Sequence, residues 1–242
     1  MNERPHDLVI CISDFHSPYG SEDAVKFLDA IKSKYWKKAK NPIVVNTGDE
    51  LDYHSISFHG ADPALMSPSD ELESAIKKLS PLYEIFPKML LCESNHGSLV
   101  YRKQKFHGLP RSVFKSYREI LGAPRGWKWA DDWTLKIGRE DYCYFHHSKS
   151  AEVLKTSQSM GMSCVSGHLH EKFSLSYWAN PNNLYFAMQI GCLIDNESLA
   201  FAYNKVNLKR PIIGTGIIVD GSPLLIPMKK NHRGQWIGKL PY

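Results

Sequence analysis

The stretch PIVVNTGDELD at residues 42–52 is an apolar run that ends abruptly in a polar turn. Two other stretches have the same form, DLVICISDFH at residues 7–16 and KMLLCESNHG at residues 88–97. The intervals between them carry apolar residues at helical spacing, over 21–38 and 70–86. This alternation of strands and helices predicts a largely parallel sheet, with polar side chains gathered where its strands end.

The second half of the chain has a different pattern. Residues 97–132 predict two short helices followed by a loop rich in glycine, proline and tryptophan. Beyond them we expect short strands with few helices between, and antiparallel pairing among the last strands. The strand-like runs are residues 134–137, 142–145, 164–166, 173–177, 184–190, 216–219 and 223–226. Ser21 is the expected N-cap of the first helix.

Composition indicates a folded domain without a membrane segment. The 242 residues are 43% hydrophobic and 23% charged, which excludes a disordered chain and allows a sizeable core. We expect one domain over residues 1–242, with residues 97–132 as an insertion. No run approaches the roughly 20 apolar residues of a spanning helix, and no secretory signal is visible. Five cysteines without CxxC spacing predict reduced, buried thiols and a cytoplasmic location.

Charge is distributed unevenly along the chain. Of the net charge of +5, residues 97–132 contribute +5 and residues 205–242 contribute +6, so that the rest carries −6. An acidic body with basic segments suits a metal site that faces a polyanion. Ordinary solvated surface is the alternative interpretation of the basic segments.

Five polar clusters come directly after apolar strands or in the turns between them. Carboxylates, imidazoles and an amide without any thiolate suit manganese, iron or zinc in an open site better than a closed structural zinc site. Each cluster alone could be a turn or a loop cap. The clusters are Asp14-Phe15-His16, Gly48-Asp49-Glu50-Leu51-Asp52, Asn95-His96, His146-His147 and Gly167-His168-Leu169-His170.

In this order the clusters resemble the calcineurin-like metallophosphoesterase family, whose motifs run DxH, GDxxD, NH, H and GHxH. The resemblance extends from Asp14 to His170. It implies an α/β fold, a four-layer α/β/β/α sandwich of two mixed sheets. It also implies two divalent metal ions, manganese before iron, zinc, nickel or magnesium. The implied reaction is hydrolysis of a phosphoester by a hydroxide that bridges the two metals.

The same resemblance assigns roles to individual residues. His96 would be the catalytic acid, and Asp52 would orient it by a hydrogen bond. Of the two adjacent histidines, we expect His146 to be the ligand, with His147 as the alternative. The implied metal ligands are Asp14, His16, Asp49 and His170 for one ion, and Asp49, Asn95, His146 and His168 for the other.

The sequence departs from the family pattern at two places. Ser94 and Gly97 flank Asn95-His96, where the family has glycine before and an acid after, which places more weight on Asp52. Tyr53-His54 follows the second motif where protein phosphatases carry Arg-Gly, which argues against that branch. The cation that grips phosphate is then expected among His54, Arg102, Lys103 and Arg111.

The segment after His96 interleaves cations with aromatic rings, as a nucleotide or single-strand site requires. We therefore expect a nuclease or phosphodiesterase that acts on nucleic acid or nucleotides. A phosphomonoesterase for nucleotides, small metabolites or phosphoproteins is the alternative. The filled ligand positions argue against an inactive scaffold. The sequence leaves the oligomeric state open.

Overall fold

The computed structural model describes residues 4–58, 64–139, 141–150, 152–195, 197–198 and 209–241. Short 3₁₀ helices occur at Trp36–Lys38, His54–Ile56 and Arg111–Val113. The strands and α-helices of this part of the chain are β1 Leu8–Ile12, α1 Ala24–Tyr35, β2 Pro42–Asn46, α2 Pro68–Ile85, β3 Lys88–Cys92, α3 Leu99–Phe106, α4 Tyr117–Ile120, β4 Gly126–Ala130, β5 Trp133–Ile137, β6 Asp141–His146, α5 Val153–Met160, β7 Ser163–Ser166, β8 Phe173–Ala179, β9 Leu184–Ile190, β10 Gly214–Val219 and β11 Ser222–Pro227.

The strands form two mixed sheets. Sheet I has the order β11-β10-β1-β2-β3-β4, in which β1 to β4 are parallel and β10 and β11 pair antiparallel. Sheet II has the order β5-β6-β7-β9-β8, in which β6, β7 and β9 are parallel and the edge strands antiparallel. Antiparallel pairing in the second half is therefore confirmed only in part, because β6, β7 and β9 run in the same direction.

The two sheets pack face to face, and helices cover their outer faces. Apolar side chains of β1, β2 and β3, among them Val9 and Val45, meet Phe145 and Met188 of sheet II in a common core. The other face of sheet I packs against α1 and α2, and that of sheet II packs against Val153 at the start of α5. The expected four-layer α/β/β/α sandwich is confirmed.

Several local expectations are corrected or confirmed by the fold. The loop rich in glycine, proline and tryptophan that was predicted at the end of residues 97–132 contains β4, an edge strand that pairs in parallel with β3. Ser21 does not cap α1, because the N-cap is Asp23 and it makes no side-chain capping bond. All five cysteines are free and buried, as expected. Within the part of the chain that the structure describes, no helix is both long and apolar enough to cross a membrane.

Candidate metal centre

Five strands deliver polar residues to one place. Asp14 follows β1, Asp49 follows β2 and Asn95 follows β3, while His147 and His168 follow β6 and β7 of the second sheet. Because the carboxyl ends of parallel strands meet at one edge, residues distant in sequence converge there. The predicted clustering of these loops is thus produced by the parallel strands of both sheets.

The loops after β1 and β2 are joined by backbone hydrogen bonds. The amides of Asp14, His16 and Ser17 donate to the carbonyls of residues 48, 49 and 50, each at 2.9 Å. Four site residues have left-handed backbone, with φ of 51° at Asp14, 47° at His16, 54° at Asp49 and 75° at His168. Such conformations cost about 1–3 kcal/mol each, and they concentrate at functional sites. Backbone strain is therefore concentrated at this site.

Two glycines of the motifs permit this close packing. A Cβ on Gly48, whose φ is +118°, would lie 2.7 Å from Nδ1 of His147. A Cβ on Gly167 would collide with the Ser13 hydroxyl and with Oδ2 of Asp14. No side chain fits at either position without displacing site residues.

One group of donor atoms comes from Asp14, His16 and His170. Nδ1 of His16 donates to Oδ1 of Asp52 at 2.6 Å, so that in a neutral ring Nε2, on the opposite edge, carries the lone pair. That Nε2 lies 3.2 Å from Nε2 of His170, which in turn lies 3.2 Å from Oδ1 of Asp14. These three residues could hold one metal ion.

A second group comes from Asp49, Asn95, His147 and His168. Nδ1 of His147 donates to the carbonyl of Thr47 at 2.9 Å, so that Nε2 of a neutral ring carries a lone pair. That Nε2 lies 3.0 Å from Oδ2 of Asp49, 2.8 Å from Oδ1 of Asn95 and 3.2 Å from Nδ1 of His168. Converging lone pairs repel unless a proton or a cation lies among them, and ligands of one ion have about this spacing.

Asp49 connects the two groups. Its Oδ2 lies 3.0 Å from Nε2 of His147 and 3.6 Å from Nε2 of His16, and its Oδ1 accepts the backbone amide of His96 at 3.1 Å. The side chain is 1% exposed. One carboxylate oxygen thus faces a histidine of each group, which is the position that a bridging ligand requires.

The structure does not bring His146 to this site, and this corrects the expected choice between the adjacent histidines. Successive residues of a strand point to opposite faces. His147 lies on the side of Cys143 and Phe145, which face sheet I, whereas His146 lies on the side of Tyr144, beneath α5. Burial lowers the pKa of His146 to about 4, so its ring is neutral.

The electrostatics of the site fit a cation. Burial alone would raise the pKa of Asp14, but the neighbouring imidazoles of His16 and His170 outweigh it and hold that pKa well below its usual range. Burial alone would likewise raise the pKa of Asp49, but neighbouring histidines lower it, and His147 makes the largest contribution. In return, the pKa of His147 rises to about 9 against its own burial because of Asp49. Buried carboxylates need positive charge, which protons supply here and metal ions would supply equally.

His96 lies at the open side of the site. Its ring stands edge-on to that of His16, with 4.6 Å between the centroids, and 29% of its side chain is exposed. Nδ1 donates to the backbone carbonyl of Asp52. The carboxylate of Asp52 instead accepts from His16, and its Oδ1 is 3.6 Å from Nδ1 of His96. Asp52 therefore contacts His96 chiefly through its main chain.

The four expected substrate-binding residues are placed differently. Nδ1 of His54 lies 3.7 Å from Oδ2 of Asp52, at the edge of the site. Arg102 donates to the carbonyl of Asn95 at 2.8 Å, and Lys103 lies over the exposed ring of Phe58. Arg111 lies farther along the segment, over the ring of Tyr101. Lys205, at the start of the C-terminal basic segment, lies outside the described residues.

Two supporting residues were missed by sequence reasoning. Glu71 of α2 is buried, and its carboxylate accepts the backbone amides of His54 at 2.8 Å and Ser55 at 2.9 Å. It thereby fixes the loop that follows Asp52. The Ser13 hydroxyl donates to Asp14. Neither residue belongs to a motif, and only the long-range packing of the loop gives Glu71 its role.

Comparisons with known proteins add little to this geometry. No protein-family model matches the chain, and no curated protein matches it. Among solved structures it is similar to Vps29 of Chaetomium thermophilum, with 11% identity and a TM-score of 0.44 over 92% of each chain. It is also similar to the NAD nucleotidase NadN of Haemophilus influenzae, with 12% identity and a TM-score of 0.39. That match covers 96% of this chain and 53% of NadN, so the chain spans about half of NadN. Likeness at this level carries no conclusion about reaction or substrate.

Proposed function

We propose that this chain is a phosphoesterase that requires two divalent metal ions and acts on phosphodiesters of nucleic acid or nucleotides. The observation that carries the proposal is the convergence of imidazole nitrogens and carboxylate oxygens in two buried groups that share Asp49. Asp14, His16 and His170 would hold one ion, with Asp49 as the bridge. Asn95, His147 and His168 would complete the other site.

The donor set suits that chemistry. When bound, two divalent ions clamp phosphoryl oxygens and lower the pKa of water so that it can attack phosphorus. Asn95 provides an oxygen without adding negative charge to a site that must receive a phosphate. The carboxylate of Asp52 holds His16 in the tautomer that directs Nε2 toward the ion, which is the usual role of such an outer partner. We expect manganese at both positions.

His96 is the proposed general acid. Its Nδ1 is occupied by the Asp52 carbonyl, so Nε2 is the nitrogen that can give a proton to the leaving oxygen. Because its backbone amide donates to Asp49, the ring is held beside the metal ligands without being one of them. A positioned acid of this kind contributes roughly 10²–10⁴-fold to the rate.

Cations and rings around the opening support a nucleic-acid or nucleotide substrate. Arg102 and Lys103 flank the ring of Phe58, which is 50% exposed, with Nζ of Lys103 4.1 Å from its centroid. Phe106, 74% exposed, stands edge-on to Phe58 at 6.2 Å. Exposed rings among cations offer stacking for bases and charge for phosphates.

The test uses metal-free protein reconstituted with Mn²⁺, bis(p-nitrophenyl) phosphate, p-nitrophenyl phosphate and 5′-labelled single- and double-stranded oligonucleotides. We expect diester hydrolysis and shortened oligonucleotides, with turnover reduced roughly 10²–10⁴-fold in His96→Ala and metal content unchanged. His232→Ala, which removes an exposed histidine, is the matched control.

Other outcomes would change the proposal in defined ways. Hydrolysis of the monoester alone, or removal of label from full-length oligonucleotides, would establish the phosphomonoesterase alternative. Absence of hydrolysis with manganese, iron, zinc, nickel and magnesium would refute a phosphoesterase. Normal turnover in His96→Ala would remove the general-acid assignment.

A further inference from the structure

A large cleft opens beside the metal centre, between β3, β4 and residues 97–118. Its volume is about 740 Å³, within the range of sites for small molecules. We call it the aromatic cavity, because its walls include the rings of Tyr101, Phe114, Tyr117, Trp127, Trp129 and Trp133. Four cations also line it: Arg111, Lys115, Arg118 and Lys128.

Glu50 lines the aromatic cavity with a carboxylate that is incompletely paired. The side chain is 2% exposed, and Oε1 accepts from Nε1 of Trp129 at 2.9 Å. Among the described residues, Oε2 makes no hydrogen bond of ordinary geometry, and neither does the buried hydroxyl of Tyr117, which lies close enough to the carboxylate to lower the pKa of Glu50. A buried, unpaired carboxylate oxygen is costly, so its retention requires an explanation. A ligand that donates a hydrogen bond would supply one.

The aromatic cavity and the metal centre are neighbours. Glu50 follows Asp49 directly in the chain. A smaller pocket of about 350 Å³ is lined by Asn95 and His147 of the centre, and Ser94 and Ser98 line both spaces. One ligand can therefore occupy the aromatic cavity while its phosphate lies at the metal centre.

We propose that the aromatic cavity binds the base of a nucleotide that carries an exocyclic amino group, with the ring stacked on its aromatic walls and the amine donating to Oε2 of Glu50. The inference rests on the proposed function and adds the substrate's recognition group. Flat aromatic walls favour a planar ring, and the cations favour a ligand that also carries phosphate. The same cations disfavour a free polyamine, the other ligand that a carboxylate would attract.

Cytidine and uridine monophosphates provide the test, because they differ only in an amine or a carbonyl at one ring position and in the ring nitrogen beside it. Each is titrated into metal-free protein, and tryptophan fluorescence reports binding, since three tryptophans line the aromatic cavity. We expect saturable quenching and an affinity about tenfold higher for the cytidine nucleotide, the value of one buried hydrogen bond. Ribose 5-phosphate, which has no base, is expected not to compete.

Glu50→Gln sharpens the test. The amide oxygen would stay with the indole N–H of Trp129, so the amide N–H₂ would face the cavity in place of an acceptor. We expect the preference to reverse in favour of the uridine nucleotide. The ratio of two affinities in one preparation does not depend on the fraction of folded protein. Glu84→Gln, at an exposed position of α2, is the matched control and should keep the wild-type ratio.

The outcomes separate this inference from the proposed function. Equal affinities in the wild type, no saturable binding, or an unchanged preference in Glu50→Gln would overturn the base site. Bis(p-nitrophenyl) phosphate has no base, so its hydrolysis by the wild type tests the metal centre independently. If the wild type does not hydrolyse this diester but still discriminates between the two nucleotides, the phosphoesterase proposal is refuted and the base site is retained.

Discussion

The metal centre and the aromatic cavity share a wall but are built in opposite ways. The centre draws its residues from the ends of five strands in two sheets, and Asp14, His16, Asp49 and His147 are each 2% exposed or less. The cavity is formed mostly by one continuous segment, residues 92–133, and exposed cations line it. In the centre, hydrogen bonds to Asp52 and to the carbonyl of Thr47 orient His16 and His147, whereas in the cavity Oε2 of Glu50 makes no hydrogen bond of ordinary geometry. Such a division fits fixed chemistry beside adaptable recognition.

The largest effect is expected at the residue that unites the metal centre. Asp49→Ala removes the oxygen that faces both histidine groups, so we expect the metal content to fall from two ions to none and hydrolysis to fall to background. Metal analysis after reconstitution and a diester assay measure both effects. Retention of two ions in this variant would show that the two groups are independent, and Asp49 would lose its role as the bridge.

A comparison of the two adjacent histidines at the end of β6 tests how the centre is assembled. His147→Ala should lower the metal content from two ions to one, because it removes the nitrogen that faces Asp49, Asn95 and His168. His146→Ala changes the preceding residue and should leave both ions bound. Metal analysis of the two variants side by side decides the matter. The reverse result would restore the sequence-based choice of His146.

This pair also shows what sequence alone can provide. The order of the five motifs predicts which loops converge, but either histidine satisfies the fourth motif. The discriminating signal is alternation, since Cys143, Phe145 and His147 share one face and Tyr142, Tyr144 and His146 share the other. The signal is weak because both faces are partly apolar: one packs on sheet I and the other beneath α5.

A smaller effect separates two roles of Asp52. In Asp52→Asn the hydrogen bond to His16 weakens, and we expect the metal affinity to fall roughly 10–100-fold, as for other outer partners of ligands. Turnover at saturating metal should stay near normal, because His96 is held by the main-chain carbonyl of residue 52. A metal titration of diester hydrolysis distinguishes these quantities. A fall in saturated turnover with unchanged metal affinity would support the sequence-based role, in which the carboxylate orients His96.

The aromatic cavity was the harder region to predict. The sequence shows the cations and aromatic rings that line it, but residues 126–130 were predicted to be a loop. They form an edge strand because they pair with Lys88–Cys92, a contact that spans about 40 residues and leaves no local pattern. That pairing carries Trp127 and Trp129 to the cavity. Glu50 belongs to the second motif, but the motif does not indicate that its side chain contacts Trp129 at the wall of the aromatic cavity.

The smallest effect is expected in the free energy of unfolding of the protein, through the carboxyl group of Glu50 in the cavity, rather than in catalysis. Burial raises the pKa of Glu50 from its ordinary 4.5 to about 6, and the hydrogen bond from Trp129 offsets this only in part. A carboxyl group with a raised pKa stabilises the fold fully below pH 4.5, and this contribution is lost as the pH rises through 6. The difference amounts to about 2 kcal/mol.

Urea unfolding of the metal-free wild type and Glu50→Gln between pH 4 and 8 measures this contribution. The amide does not titrate, so we expect the variant to gain about 2 kcal/mol of unfolding free energy relative to wild type across this range. Other titrating groups are common to both proteins and cancel in the difference. Parallel curves would mean that Oε2 of Glu50 is already paired in solution, and the aromatic cavity would then offer no free carboxylate oxygen to the amine of a base.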